Sequence, residues 1–333
     1  MIKNALKYTA IAAVVLFSGC SHKESYKPIS VKSSKSIDGK ISSKIVGVTQ
    51  NLALLDSGVV VDRDARELLS IPQGHRLINS SYKWVITQSP QKELVFSSTK
   101  SGDEDVVFSF NKDVAGATLE GNVLAVLFAN NEIALFSFND KKLLFKEEAN
   151  QPIAVDSRIV NPYFLKELAV FPTLDGKIVI VNSQTKQPLR SIVVSSNNYF
   201  NNINYFKVID NALVASTAYG VLSLEQKEAR QKYDIKDVVF VDGTIYVATK
   251  QGEIIALNEN LELKTKQKFP FAHFRAISVQ DNNIYLLENG GYLIVLPRDL
   301  SSYEVFSVSL DKEDKVMVGA KAIYFDNKYI LTP

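Results

Sequence analysis

The chain has 333 residues, of which 38 are Lys or Arg and 36 are Asp or Glu, so its formal net charge is +2. This balance gives no reason to expect nucleic acid or an anionic surface as a partner. The chain has one cysteine, Cys20, which excludes disulfides within the chain and metal sites built from several thiolates.

The first nineteen residues have the features of a secretory signal. Two lysines precede an uncharged, apolar stretch at 8–19, which is shorter than the roughly 20 residues of a membrane-spanning helix. The sequence Leu16-Phe17-Ser18-Gly19-Cys20 resembles the lipobox of bacterial lipoproteins, with phenylalanine at a position where leucine is usual. The resemblance implies cleavage after Gly19 and lipidation of Cys20. Since no aspartate follows the cysteine, it also implies the outer membrane. The alternative is an ordinary signal with an incidental cysteine.

Residues 20–44 are rich in Ser and Lys. This composition is typical of a flexible linker. We therefore predict a lipidated tether over 20–44, which begins to form strands only towards its end, followed by one folded domain over 45–333.

A repeated unit extends from this tether to the C-terminus. Its copies have two short apolar strands around a Gly-Asn, Asp-Asn or Asp-Gly pair, as at 119–126, 208–215, 240–247, 280–287 and 325–332. These dipeptides tolerate the positive φ angles of tight turns, so each copy predicts a β-hairpin.

Two further strands complete each unit. The third is apolar, as at 177–182 and 253–258, and the fourth is more polar, as at 304–308. This gradient indicates a sheet that is buried near a central axis and has a solvated outer edge.

The second strands of the units begin at eight positions along the chain. These are Leu52, Trp84, Leu124, Leu168, Leu213, Ile245, Ile284 and Tyr329. Four-stranded units at a period near 40 residues predict an all-β fold, an eight-bladed β-propeller of antiparallel blades. The last unit ends after two strands, so we expect both termini to close the ring, with Pro28–Lys32 and Lys40–Lys44 as candidate strands. Seven blades with an extra hairpin is the alternative, and a two-domain β-sandwich fits the continuous repeat less well.

The repeats carry a family resemblance. The segments Gly176–Asn182 and Gly252–Asn258 resemble the quinoprotein, or PQQ-like, propeller repeat. Together with the lipobox and the eight units, residues 20–333 resemble the propeller lipoproteins of the outer-membrane β-barrel assembly machinery. The usual fourth-strand tryptophan is absent, and the one tryptophan, Trp84, lies in a second strand. The resemblance implies a non-catalytic scaffold that is lipid-anchored at the periplasmic face of the outer membrane and binds the core subunit of that machinery.

The sequence contains no recognisable catalytic site. His75 and His273 are far apart, and the acidic segment Asp103–Asp105 lies in a turn without the alternating carboxylates of a calcium loop. We therefore expect no catalytic residue, no metal and no cofactor. Two alternatives remain: a lipoprotein that binds a ligand or host molecule, including one exposed at the cell surface, and a quinone-dependent enzyme.

Two links between units, at 150–166 and 195–206, are longer than the others. Long loops on rigid scaffolds often carry binding sites. The resemblance implies that these links contact the partner before the fourth and fifth blades. The predicted contact residues are Ile153, Val155, Arg158, Tyr199, Phe200 and Tyr205. On this interpretation Arg158→Glu weakens partner capture by about 2 kcal/mol or more without changing the melting temperature. The alternative is that these residues anchor the links to the propeller.

Overall fold

A computed structural model describes residues 24–210, 212–225 and 227–332. These residues form 33 β-strands. Within the same ranges, no helix has the length and apolar character needed to cross a membrane. Cys20 and the predicted signal lie outside the described residues.

The strands follow one another along the chain in groups of four. Two short strands come first: β1 (Ser33–Ser34) and β2 (Gly39–Lys40). Blades 1 and 2 contain β3 (Ile45–Val48), β4 (Leu52–Leu55), β5 (Val59–Asp62), β6 (Glu67–Ser70), β7 (Arg76–Ser81), β8 (Trp84–Gln88), β9 (Glu93–Ser98) and β10 (Val106–Ser109). Blades 3 and 4 contain β11 (Val114–Glu120), β12 (Val123–Phe128), β13 (Ile133–Ser137), β14 (Leu143–Glu147), β15 (Tyr163–Leu165), β16 (Leu168–Pro172), β17 (Lys177–Asn182) and β18 (Pro188–Val193).

The second half of the ring repeats this order. Blades 5 and 6 contain β19 (Tyr205–Ile209), β20 (Ala212–Ser216), β21 (Gly220–Leu224), β22 (Glu228–Lys232), β23 (Ile235–Val241), β24 (Thr244–Thr249), β25 (Glu253–Leu257) and β26 (Leu263–Lys268). Blades 7 and 8 contain β27 (Phe274–Gln280), β28 (Asn283–Glu288), β29 (Tyr292–Pro297), β30 (Glu304–Ser307), β31 (Val316–Val318), β32 (Ala322–Phe325) and β33 (Lys328–Leu331).

The predicted eight-bladed propeller is confirmed. The strands form eight antiparallel sheets, each of them four-stranded apart from one additional parallel strand on blade 7. The hairpins have the expected cause, since Asp242 and Gly243 between β23 and β24 adopt positive φ angles of 45° and 67°. In each blade, the turn between the second and third strands lies on the same face of the ring as the link to the next blade.

The core is distributed around the ring. Eight clusters of buried apolar side chains are present among the described residues, and each one joins two neighbouring blades. Blade 8 packs on blade 1 in the same way, through Met317 and Tyr324 against Ile45 and Leu55. Every sheet is therefore covered on both faces, as the continuous apolar strands predicted.

Blade 8 differs from the prediction in one respect. The C-terminus supplies three of its strands, β31, β32 and β33, because the hairpin at Asp326 joins the second and third strands. The short first strand, Val316–Val318, follows a charged segment and is not indicated by the repeat pattern. The N-terminus therefore adds a single strand, in which Gly39 pairs with Tyr329 and Lys40 with Lys328.

The N-terminal segment is fixed to the ring along most of its described length. Tyr26 is buried in the cluster between blades 6 and 7. Ser33 and Ser34 then pair in parallel with Phe306 and Ser307 on the outer strand of blade 7. The strands lie at 33–34 and 39–40, which differs from the expected Pro28–Lys32 and Lys40–Lys44. From Tyr26 onwards the predicted tether thus packs against the propeller.

Candidate functional site

The two long links meet on one face of the ring. The first connects β14 to β15 and the second connects β18 to β19. The backbone N–H of Phe200 donates to the carbonyl oxygen of Ala154 over 2.9 Å. The N–H of Asp156 donates to the side-chain oxygen of Asn202 over 2.6 Å. The structure therefore brings together two segments that are more than forty residues apart in sequence.

The first link is extended, and its exposure alternates from residue to residue. Ile153 and Val155 are exposed, whereas Ala154, Asp156 and Arg158 are half-buried. A period of two is expected for an extended backbone. Ile153 and Val155 consequently point outwards together, and Arg158, five residues after Ile153, points to the opposite side.

Four of the six predicted contact residues form an exposed apolar surface. The exposed fractions are 72% for Ile153, 38% for Val155, 53% for Tyr199 and 47% for Phe200. We call these four residues the link surface. Phe200 adopts φ of 50°, a left-handed conformation that a bulky residue rarely adopts and that costs energy. The chain thus holds a phenyl ring in water at a strained position, which is a feature of functional sites.

Arg158 is occupied by contacts within the chain. Its Nη2 lies 2.7 Å from Oδ2 of Asp156, its Nε lies 3.1 Å from Oδ1 of the same carboxylate, and its Nη1 donates to the carbonyl oxygen of Lys236. Asp237, on the first strand of blade 6, is 3.7 Å from Nη1. Arg158 therefore ties the link to a blade that is two positions further around the ring.

The pKa values of the charged residues around Arg158 shift in directions that their contacts explain. Burial disfavours the charged form of both Arg158 and Asp156, but their mutual hydrogen bonds outweigh burial, so the pKa of Arg158 is raised and that of Asp156 is lowered. Burial raises the pKa of Asp237, although the positive charge of Arg158 opposes this rise. Burial, followed by the charge of Arg158, lowers the pKa of Lys236.

Tyr205 also points into the propeller. Its hydroxyl oxygen accepts a hydrogen bond of 2.7 Å from the backbone N–H of Phe240, and its ring packs on the cluster between blades 5 and 6. Burial raises the pKa of its phenol. For Tyr205 and Arg158 the geometry favours the anchoring alternative. A direct contact of either residue with a partner stays a prediction.

Two asparagines that the sequence did not single out hold the first link in place. Asn202 is fully buried, and its amide nitrogen donates to the carbonyl oxygens of Asp156 and Arg158. The Oδ1 of Asn161 accepts from Ala117 N–H on blade 3, and its amide contacts the carbonyl oxygen of Ile78 on blade 2. The asparagine-rich composition of the second link was the available signal, because asparagine readily bonds to backbone groups.

The histidines and the acidic segment that the sequence singled out form no metal-binding cluster in the described part of the chain. Within the described ranges no group of three or more His, Cys, Asp or Glu residues could hold a metal ion. His75 bonds to Thr87, and Asp103 pairs with Lys83 and Ser98. These residues are engaged in local contacts at blade 2.

Comparisons with known proteins agree with the propeller fold. A family model described as outer membrane protein assembly factor BamB matches residues 66–260. The crystal structure of BamB from Moraxella catarrhalis superposes with a TM-score of 0.69, covering 89% of this chain and 98% of that chain at 12% identity. The C-terminal WD40 domain of Sif2 gives a TM-score of 0.65 at 12% identity, covering 91% of this chain and 99% of that one. At such identities these structures support the fold alone.

A curated relative extends along nearly the whole sequence. The plasminogen-binding protein PgbB of Helicobacter pylori strain J99 is 26% identical over 377 aligned positions, which cover 96% of this chain and 70% of the relative. PgbB of strain 26695 is also 26% identical, with 69% of its length covered.

Proposed function

Since this chain belongs to the family of the outer membrane protein assembly factor BamB, we propose that it is a non-catalytic scaffold lipoprotein which assists the assembly of outer-membrane β-barrel proteins. In this proposal it is anchored by lipid on Cys20, faces the periplasm and binds the core subunit of the assembly machinery. The observation that carries the proposal is the link surface, which presents apolar side chains on a closed and rigid ring.

Several physical features support a docking role for the link surface. Aromatic and aliphatic side chains supply most of the energy at protein interfaces when they become buried. The links are held by buried asparagine and arginine contacts, so little conformational entropy is lost when a partner binds. The surface is therefore preorganised for a protein ligand.

The test is co-purification from detergent-solubilised envelopes with a C-terminally tagged chain. We expect the core subunit of the assembly machinery to be recovered with the native chain, and its recovery to fall when Ile153 and Val155 are both replaced by serine. A native chain that never recovers the core subunit would refute the proposed partner.

Lipidation at Cys20 has its own test. Cys20→Ala should give a soluble periplasmic protein or an uncut precursor, since the described ring does not include residue 20. Mass spectrometry and membrane fractionation measure this directly. A Cys20→Ala chain that is acylated and sediments with membranes would refute the assignment.

A second candidate function is the binding of a host protein. It is supported by the similarity to PgbB along 96% of the chain. Protease treatment of intact cells separates the two locations, because a periplasmic scaffold survives and a surface-exposed protein is degraded. Binding of purified chain to immobilised plasminogen tests the ligand that the name of this relative suggests.

The absence of enzymatic activity belongs to the same proposal. Purified chain is expected to take up neither a quinone cofactor nor calcium. Stoichiometric uptake of a quinone, measured by absorbance after dialysis, would favour the enzyme alternative.

A further inference from the structure

The described chain begins beside one particular edge of the ring. The ring of Tyr26 packs edge-on against Phe269 at a centroid distance of 6.1 Å and against Tyr292 at 5.7 Å. Tyr26 is 7% exposed. Further along, the backbone N–H of Lys32 donates to Val305 O, and that of Lys35 donates to Ser307 O. The N-terminal segment is therefore held between blades 6 and 7 and along the outer strand of blade 7.

The distance from this attachment to the proposed lipid is short. Cys20 precedes Tyr26 by six residues. A fully extended chain spans at most about 3.5 Å per residue, so Cys20 lies within about 21 Å of Tyr26 in any conformation. The propeller itself is wider than this reach, because its blades surround an axis as four-stranded sheets with strands about 4.8 Å apart. A lipid on Cys20 thus restricts which edge of the ring can approach the bilayer.

The same edge exposes apolar side chains. Ile29 is 93% exposed, Phe271 is 52% exposed and Val31 is 43% exposed. Ile29 and Val31 lie between the two attachment points of the N-terminal segment, and Phe271 is two residues beyond Phe269, which Tyr26 contacts. Phe271 adopts a left-handed φ of 63°, so its backbone is strained in a conformation that leaves its phenyl ring in water.

Exposed apolar groups beside a lipid anchor are suited to the interfacial region of a membrane. Burial of such side chains among lipid headgroups removes apolar surface from water and adds to the binding supplied by an acyl chain. Lys27, between Tyr26 and Ile29, is exposed and forms no ion pair within the described part of the chain. A lysine at this position can extend its ammonium group towards the polar headgroups.

We propose that the edge formed by Ile29, Val31 and Phe271, here called the blade 7 rim, lies against the lipid surface when the chain is anchored. The inference rests on the lipid anchor of the proposed function. It adds an orientation: blades 6 and 7 face the bilayer, while blade 2, on the other side of the ring, faces away from it. A protein partner seated on the blade 7 rim is the competing occupant.

The test attaches the chain to vesicles chemically, so that it does not depend on lipidation in the cell. The chain without residues 1–19 is coupled through Cys20, its one thiol, to a maleimide lipid in phosphatidylcholine vesicles with or without brominated acyl chains. Ile29→Trp reports on the blade 7 rim, because bromine quenches tryptophan only at close range. Tyr82→Trp on blade 2 is the matched control, since Tyr82 is also 93% exposed. The native Trp84 is present in every sample, and its emission, measured in the parent chain, is subtracted.

For coupled Ile29→Trp chain we expect at least a twofold loss of the added tryptophan's emission with brominated lipid and a shift to shorter wavelength. For coupled Tyr82→Trp chain we expect no loss. Chain whose thiol is capped with iodoacetamide supplies the baseline for both variants. Circular dichroism confirms that both variants have the β-sheet spectrum of the parent chain.

Unchanged emission of the coupled Ile29→Trp chain, or equal quenching at both positions, would overturn the orientation. Neither result would bear on partner capture or on lipidation in the cell, which the co-purification and the Cys20→Ala experiment measure separately. Failure of the co-purification with intact quenching would reject the proposed partner and leave the orientation in place, whereas failure of the lipidation experiment would remove the anchor on which the orientation rests.

Discussion

The outer and inner sides of the link before blade 4 have opposite character, although they alternate along one extended segment. The outer side carries Ile153 and Val155, which contact solvent. The inner side carries Asp156 and Arg158, whose polar groups are bonded to each other, to Asn202 and to blade 6. The comparison indicates that the exposed apolar side chains of this link are held in place by a second, inward-facing set of residues. Substitutions on the two sides should therefore affect different measurements.

The largest expected effect comes from reversing the charge on the inner side. Arg158→Glu removes the ion pair with Asp156 and places a carboxylate near both Asp156 and Asp237. We expect the free energy of unfolding to fall by about 3 kcal/mol, because a largely buried carboxylate then loses its counter-charge. Urea denaturation measures the loss, and Arg190→Glu, at an exposed ion pair on blade 4, is the control. Unchanged stability would favour the interpretation, suggested by the sequence, that Arg158 contacts the partner.

Asn202→Ala should act in the same direction with a smaller effect. The substitution leaves the N–H of Asp156 and the carbonyl oxygen of Arg158 without their partner. A buried polar group without a partner costs about 1–3 kcal/mol. We therefore expect the free energy of unfolding, measured by urea denaturation, to fall by about 2 kcal/mol. Partner capture should fall as well, since the link loses its support. A stable variant with normal capture would contradict the supporting role.

On the outer side, Ile153→Ser combined with Val155→Ser should weaken capture of the core subunit about tenfold, which is about 1.4 kcal/mol. The free energy of unfolding should change by less than about 0.5 kcal/mol, because both side chains are exposed. Leu189→Ser is the matched control, since Leu189 is 56% exposed on the outer strand of blade 4, the blade that follows this link. Equal loss of capture in the control would show that the effect is not specific to the link surface.

A pH titration tests whether an ionic contact holds the inner side of the link. The hydrogen bonds and charge of Arg158 outweigh burial and lower the folded-state pKa of Asp156 from 3.8. A lowered carboxyl pKa contributes stability that is present above the unfolded-state pKa and is lost as the pH falls through the folded-state pKa. Asp156→Asn should therefore cost about 1 kcal/mol at pH 7, and the difference from the native chain should shrink as the pH falls below about 4. Asp64→Asn, at an exposed pair with Arg66, is the control. A difference that does not depend on pH would contradict the ionic role of Asp156.

The smallest effect concerns backbone strain. Phe200→Asn should raise the free energy of unfolding by about 0.5 kcal/mol, since asparagine tolerates left-handed φ angles better than phenylalanine, and should weaken partner capture. Phe271→Asn is the matched control, because Phe271 is exposed to a similar degree and also has positive φ. It should give the same gain in stability with normal capture. Weakened capture in both variants would place the partner across the link surface and the blade 7 rim, and would contradict the separation between these two surfaces.

Repetition explains which parts of the structure could be predicted from sequence. Eight similar units each carry the same local information, so the Asp-Gly and Asp-Asn turns and the apolar strands indicated the ring reliably. The repeats indicated blade 8 only in part. Its first strand, Val316–Val318, is short, and its fourth strand comes from the other end of the chain. Local sequence carries little information about such a distant pairing.

The candidate site could be predicted only in part, for a related reason. The common direction of Ile153 and Val155 followed from their spacing of two residues, whereas their exposure did not. The inward direction of Arg158 depends on its odd separation from Ile153 and on Asp156, which binds it. The role of Asn202 depends on the close approach of two links, which is a property of the assembled ring. Contacts of this kind become visible only when the fold is known.

The pairing of Gly39 with Tyr329 has a consequence for biogenesis. During synthesis the N-terminal strand emerges first, but its partner emerges 290 residues later. Until then, blade 8 does not exist, and the exposed edges of the incomplete ring can pair with other chains. The slowest step of folding should therefore be this last closure, since it joins the most distant parts of the chain. The incomplete ring is therefore open to mispairing for the whole interval between the appearance of its first strand and that of its last.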